Sequence, residues 1–313
     1  MRTAFIHALD ELASRDPRVC LVVGDLGYSV IEEFEARHPK QFVNAGVSEQ
    51  NMIGLAAGMA LSGKVVFTYS IGNFATLRGL EQIRNDVCYH RANVKVVAVG
   101  GGVAYGNLGV THHATEDVAI LRSLPNMVVV APGDPVEARL ATLAVAAHEG
   151  PCYLRLGKAG EPVVHEAEPD FRLGSAITLR DGSNLTLIAS GGMLATAARV
   201  ADTLESRGLS VRLLSMHTIK PIDREAVLSA AVETRHVFTV EEHSIDGGLG
   251  GAVAEIMAEI DRAHAPLKRI GLRPEFNKTV GDQNYLKSLH GLDERAIVET
   301  VSEIITRSYD VVG

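Results

Sequence analysis

The sequence predicts two consecutive α/β domains, each a largely parallel sheet with helices on both faces. Three observations carry this. Short β-branched apolar runs recur along the chain and alternate with stretches of helical periodicity. The alternation lapses between Glu161 and Asp170, where two prolines, three further acids and few apolar residues read as a connector. It restarts after Asp181-Gly182. Such spacing of strands and helices builds parallel sheets through crossover helices. The reading is a first domain over residues 1–165, a linker over 166–180 and a second domain over 181–313.

In the first domain, Phe5, Ala8, Leu9 and Leu12 mark one face of a helix over Thr3–Ser14. Strands are expected at Cys20–Asp25, Gln41–Asn44, Val65–Tyr69, Val94–Val99, Met127–Ala131 and Tyr153–Leu156. Helices are expected at Glu49–Leu61, Leu77–Tyr89, Glu116–Leu121 and Pro135–Ala147. The last opens on Pro132-Gly133-Asp134-Pro135, with Asp134 as N-cap and Pro135 in the first turn, where a missing N–H does no harm. In the second domain the strands are Leu185–Ala189, Val211–Ser215, Val237–Glu241 and Lys268–Gly271, and the helices Leu194–Ser206, Arg224–Ala231 and Leu249–His264.

The formal charge of −8 argues against a nucleic-acid partner, which needs a basic face. Trp is absent and aromatics make up 5% of the chain, too few for a base- or sugar-stacking platform. Cys20, Cys88 and Cys152 form no CxxC pair and sit in apolar stretches, so they read as buried thiols of a cytoplasmic protein. No signal peptide is evident, and no apolar run approaches the roughly 18 residues of a membrane span.

Four segments could carry chemistry. Asn44-Ala45-Gly46-Val47-Ser48-Glu49 ends a strand and opens a helix; Glu49 there either complements the helix dipole or faces a ligand. Thr68 to Thr76 also follows a strand and brings Phe74 near the next helix, as core or as a platform. Gly100 to His113 holds five glycines in its first ten residues, permitting close backbone approach or a flexible loop. It lacks the Gly-Lys-Ser/Thr of a phosphate loop, and His112-His113 lacks the spacing of a zinc site. Glu241 to Gly251 is not a dinucleotide fingerprint; its glycines read as tight helix–strand packing.

Taken together, Gly46-Val47-Ser48-Glu49-Gln50, the run from Thr111 to Asn126, Val130 to Asp134, and the Glu241–Gly251 segment resemble the transketolase family over nearly the whole chain. The resemblance is to its pyrimidine-binding and C-terminal domains. It implies a thiamine-diphosphate-dependent transferase that moves a two-carbon ketol or acyl unit to an aldehyde or ketose. It implies that Glu49 hydrogen-bonds the cofactor's pyrimidine and activates it, that Phe74 stacks on that ring, and that Asp25, Leu26 and Ile71 line the cofactor pocket. His112 would face substrate oxygen, and Arg2, Ser29 and Arg155 would hold a sugar phosphate at the channel mouth.

The family's Gly-Asp-Gly motif for Mg²⁺ and diphosphate is missing, so no metal site is expected in this chain. An N-terminal transketolase-like partner would supply it, in an α₂β₂ assembly. The apolar, small-residue run from Ile53 to Ala60 suits close packing at such an interface. Three positions depart from the family: Gly100 stands where a histidine, and Leu108 where an aspartate, meets the donor, and Ile71 replaces an aromatic of the pyrimidine pocket, a milder change. The first two give weight to a 2-oxo acid donor, as in the beta subunit of a 2-oxo acid dehydrogenase or a pyruvate-derived acyl transferase. A non-catalytic regulatory subunit is the third reading.

Overall fold

The computed structural model describes residues 1–310, with side chains through residue 307. The first sheet contains β1 (Val19–Val23), β2 (Phe42–Asn44), β3 (Val65–Ile71), β4 (Val94–Val99), β5 (Val128–Val130) and β6 (Cys152–Leu156), all parallel, in the order β5-β6-β4-β3-β1-β2. Its central strands are buried along their whole length, as continuous apolar runs require. Helices Arg2–Arg15 and Pro135–Ala147 cover one face through Phe5, Leu9, Ala138 and Val145. Helix Glu49–Leu61 and the π-helical Ile83–Tyr89 cover the other through Met52, Ile53, Ile83 and Val87. Asp134 caps its helix as expected, its Oδ1 accepting from the Glu137 amide at 2.8 Å.

The second sheet contains β7 (Ile177–Arg180), β8 (Leu185–Ala189), β9 (Val211–Ser215), β11 (Val237–Ser244) and β12 (Leu267–Leu272), in the order β12-β11-β8-β9-β7. Between β9 and β11 the short β10 (Thr218–Lys220) leaves this sheet and pairs antiparallel with β5 of the first. One strand from the second half of the sequence therefore completes the first sheet and ties the two layers together.

Several expectations change. The segment 166–180 does not stay a linker to its end, because Ile177–Arg180 pairs antiparallel with β9 and Leu179 packs on the core. The helix expected over Leu77–Tyr89 starts earlier, as Gly72–Leu77, and breaks around Gly79. A side chain at Gly79 would come within 2.9 Å of Ile53, so the close approach of the helix Glu49–Leu61 sets the break. The helix begun at Leu249 ends at Met257 rather than His264. All three cysteines are buried thiols. Among the described residues no helix is long and apolar enough to cross a membrane.

The chain passes from β1 to β2 on one side, then returns to β3 on the other. The strand order thus reverses between β1 and β3. In open parallel sheets a ligand crevice forms outside the carboxyl ends at such a point.

Candidate active site

Three loops meet at that crevice. Gly24 follows β1, and the atoms nearest to where its side chain would lie are Met52 Sδ, Ser70 Oγ and the Gly46 carbonyl. Asp25 takes a left-handed backbone, φ 54°. Its carboxylate accepts from Asn44 Nδ2 at 3.0 Å, and its amide donates to Asn44 Oδ1 at 3.2 Å. The ends of β1 and β2 are so fixed together, with Asp25 exposed and Leu26 half-buried beside it. Glu49 opens the next helix and is 3% exposed. Its only described partner is Arg78, whose Nε lies 3.4 Å from Oε2 and whose side chain is 57% exposed. Buried carboxylates are ordinarily well supplied with donors, and Glu49 is not. The Ser70 hydroxyl, buried at the end of β3, has no hydrogen-bond partner.

Half-buried Ile71, the last residue of β3, is the N-cap of the helix Gly72–Leu77, and Phe74 is half-buried in the first turn of that helix. Asn73 Nδ2 donates to the Thr111 carbonyl at 2.6 Å and ties this helix to the glycine-rich segment. His112 then meets Phe74 edge-on, ring centroids 5.1 Å apart. Its Nδ1 lies 3.0 Å from Thr111 Oγ1. Tyr105 lies 6.4 Å from His112, and Lys158 Nζ sits 4.9 Å above the Tyr105 ring. Arg2 reaches the same place from the first helix: burial pushes the phenols of Tyr69 and Tyr105 up, and the Arg2 guanidinium beside them opposes it. Ser29 is exposed on the loop after β1, in a left-handed conformation of φ 65°, its amide donating to Glu32 at 2.7 Å.

Arg155 is not at this mouth with a free fork, as expected from the sequence. It is buried, with Nε 2.7 Å from Asp117 Oδ2 and Nη2 donating to Asp117, to the Ala114 carbonyl and to the Glu242 carbonyl. Asp117 also accepts from the Tyr153 hydroxyl. Burial alone would raise the Asp117 carboxyl; Arg155 and His243 outweigh it and hold the group below the usual range. Beside Arg2 it is Lys158, three residues further on and exposed, that stands over Tyr105 at the mouth.

The first three glycines of the glycine-rich segment are packed against large side chains. Side chains at Gly100, Gly101 and Gly102 would collide with Tyr105, Arg155 and Glu242 respectively. Glu242, from the second domain, accepts from the Val103 amide at 2.8 Å and from Gln283 Nε2 at 2.8 and 3.0 Å. Burial pushes its carboxyl up. The C-terminal layer thus grips the loop that carries Tyr105 and His112. Neighbouring Glu241 takes the amides of Leu249 and Gly250, each at 2.7 Å, so the Gly-Gly-Leu-Gly segment serves helix–strand packing as its sequence implied. Behind the loop, a cavity of about 300 Å³ is lined by Gly101, Arg155, Glu242 and Lys287.

Sequence reasoning missed Arg78, Tyr105, Lys158, Asp117 and Glu242. Asp117 and Glu242 lay inside the matched motifs, and Lys158 is the one basic residue in the turn after β6. On the outer face of the helix Glu49–Leu61, Leu55 and Gly58 are exposed, and nothing stands within 4 Å of a side chain at Gly54 or Gly58.

Comparison with known proteins agrees with this arrangement. Residues 1–160 match the model of the transketolase pyrimidine binding domain, and residues 174–297 that of the transketolase C-terminal domain. The chain is 40% identical to one of the subunits of the apulose-4-phosphate transketolase of Phocaeicola vulgatus, over 98% of this chain and 97% of that one. It is 38% identical to SqwH, a 6-deoxy-6-sulfo-D-fructose transketolase subunit of Clostridium sp. strain MSTE9, over 98% and 95%. A solved structure described as a split gene transketolase, inactive beta4 tetramer, superposes with a TM-score of 0.88 at 37% identity, covering 97% of both chains. With both of its domains matched in order, the chain belongs to the transketolase family.

Proposed function

We propose that this chain is one subunit of a split, thiamine-diphosphate-dependent transketolase that moves a two-carbon ketol unit from a phosphorylated or similarly anionic ketose to an aldehyde acceptor. The observation that carries the reading is the crevice at the β1/β3 reversal, where buried Glu49 has Arg78 as its one described partner and Ser70 has none. A buried carboxylate, an unpaired hydroxyl and the half-buried ring of Phe74 suit an aminopyrimidine. Thiamine diphosphate, when bound, would supply a thiazolium carbon acidic enough to lose its proton and then attack a carbonyl.

Glu49 would accept a hydrogen bond from the pyrimidine ring and so favour its activating tautomer. Phe74 stacks on it, with Ile71, Asp25 and Leu26 around it. His112, held against Phe74 and Thr111, offers a hydrogen bond to substrate oxygen, where charge develops. Arg2 and Lys158, with Ser29 on the neighbouring loop, attract the anionic tail, the part expected of Arg155 falling to Lys158. Two relatives are named for a sugar phosphate and a sulfonated sugar, which favours such a tail.

The diphosphate and Mg²⁺ are held by a partner chain carrying the Gly-Asp-Gly motif, in an α₂β₂ assembly. The inactive beta4 tetramer of the solved relative supports the need for a second kind of subunit. The smooth outer face of the helix Glu49–Leu61 is a surface on which it docks.

The test is a donor screen. The chain, combined with the product of a neighbouring gene bearing that motif, is expected to consume D-xylulose 5-phosphate with an aldose phosphate acceptor and to leave pyruvate untouched. Turnover of pyruvate with a lipoyl acceptor, and none of the ketose phosphate, would transfer the chain to the 2-oxo acid dehydrogenase reading.

A further inference from the structure

Tyr105 has no assigned part in this chemistry, yet its placement is specific. Its ring lies directly on Gly100, at the carboxyl end of β4; a side chain there would come within 2.1 Å of a ring carbon. Gly100 also has φ 79°, a conformation glycine adopts freely. The ring is therefore seated by the one residue that leaves it room. Lys158 covers it at 4.9 Å, and His112 stands 6.4 Å away.

The Tyr105 hydroxyl has no hydrogen-bond partner among the described residues, although the side chain is half-buried. The side chain is only partly covered, so the hydroxyl is open to hydrogen-bond a bound molecule. Leu108 on the same loop is apolar and 55% exposed, so it offers no polar group to a substrate. Burial pushes the phenol up, so the group stays protonated at neutral pH and can donate as well as accept.

Resting on the ketol-transfer reading, we infer that Tyr105, seated on Gly100, is a specificity-determining residue whose hydroxyl hydrogen-bonds a hydroxyl of the sugar. It selects polyhydroxylated donors over 2-oxo acids that lack such a group. A sequence with glycine at position 100 and leucine at 108 is poor in donor contacts only while Tyr105 is overlooked. A site built around a substrate hydroxyl rejects analogues without it, since its own polar group is then left unpaired.

Tyr105→Phe keeps the ring on Gly100 and removes only the hydroxyl. In the assembled enzyme it is expected to lower kcat/KM for D-xylulose 5-phosphate about tenfold, with thiamine diphosphate affinity unchanged. A second readout does not need turnover. In the 3-fluorotyrosine-labelled assembly, the ¹⁹F resonance that Tyr105→Phe abolishes should move on adding the sugar phosphate. A resonance that stays fixed at saturating sugar phosphate, or a Tyr105→Phe enzyme equal to the wild type on the ketose, overturns the inference. A resonance that moves in an assembly without ketol transfer would support Tyr105 as a sugar contact and sink the ketol-transfer reading instead.

Discussion

Replacing Glu49 by Gln is expected to lower kcat of the assembled enzyme by about 10²–10⁴-fold, the range of a lost acid–base partner. The substitution keeps shape and volume and removes the charge. Glu49 is buried at the first turn of its helix, and its side chain makes no hydrogen bond among the described residues, only the 3.4 Å ion contact with Arg78. The fold therefore has little to lose, and Tm should stay within a few degrees of the wild type. A fall in kcat with an intact fold separates a cofactor-facing carboxylate from one that merely complements the helix dipole. The dipole contribution is about 0.3–1 kcal/mol and would appear in stability alone. Steady-state kinetics beside a thermal melt make the distinction, and a Glu49→Gln enzyme with full activity would refute the assignment.

Replacing Arg155 by Leu is expected to damage stability most. The guanidinium is buried between the two layers and neutralises Asp117, itself buried. Removing one partner leaves an uncompensated buried charge, a loss of about 3–5 kcal/mol. For a chain of this size that is a fall in Tm of roughly 10 °C. Two further bonds go with it, to the Ala114 and Glu242 carbonyls, so the loop bearing His112 loosens too. The double variant Asp117→Leu/Arg155→Leu should recover most of the stability, because both charges leave together. The pH dependence has a definite sign. The Asp117 carboxyl is lower in the folded chain than the unfolded value of about 3.9, so its contribution is present above that value. It is lost as pH falls through the depressed folded value. Urea midpoints for the three proteins measure this; an Arg155→Leu midpoint equal to the wild type would show the pair to be unimportant.

Much of the candidate site was legible because it is local. Glu49 and Phe74 each follow a strand, and strand–loop–helix junctions are readable from periodicity; the matching motifs then singled out the residues. His112 came from its motif and met Phe74 in space. Arg155 shows the limit. An arginine near the end of a short apolar run reads the same whether its fork faces solvent or a buried Asp117, since the partner lies 38 residues away in sequence. Glu242 is still more remote, 139 residues from the Val103 amide it holds. The glycines at 100 to 102 read as ligand approach or slack, although the side chains of Tyr105, Arg155 and Glu242 press on them. β10 could not be assigned to the first sheet, because three residues carry no periodicity and its partner β5 belongs to the other half of the chain. Contacts set by chain topology are invisible to spacing; contacts set by one strand and the helix after it are not.

The central claim is that this chain holds half of a shared cofactor site. Calorimetric titration of thiamine diphosphate with Mg²⁺ tests it most directly, first into the chain alone and then into the chain mixed with its Gly-Asp-Gly partner. Tight binding in the mixture and none to either chain alone is the predicted result. Tight binding to this chain by itself would contradict it, since the diphosphate would then have a site here.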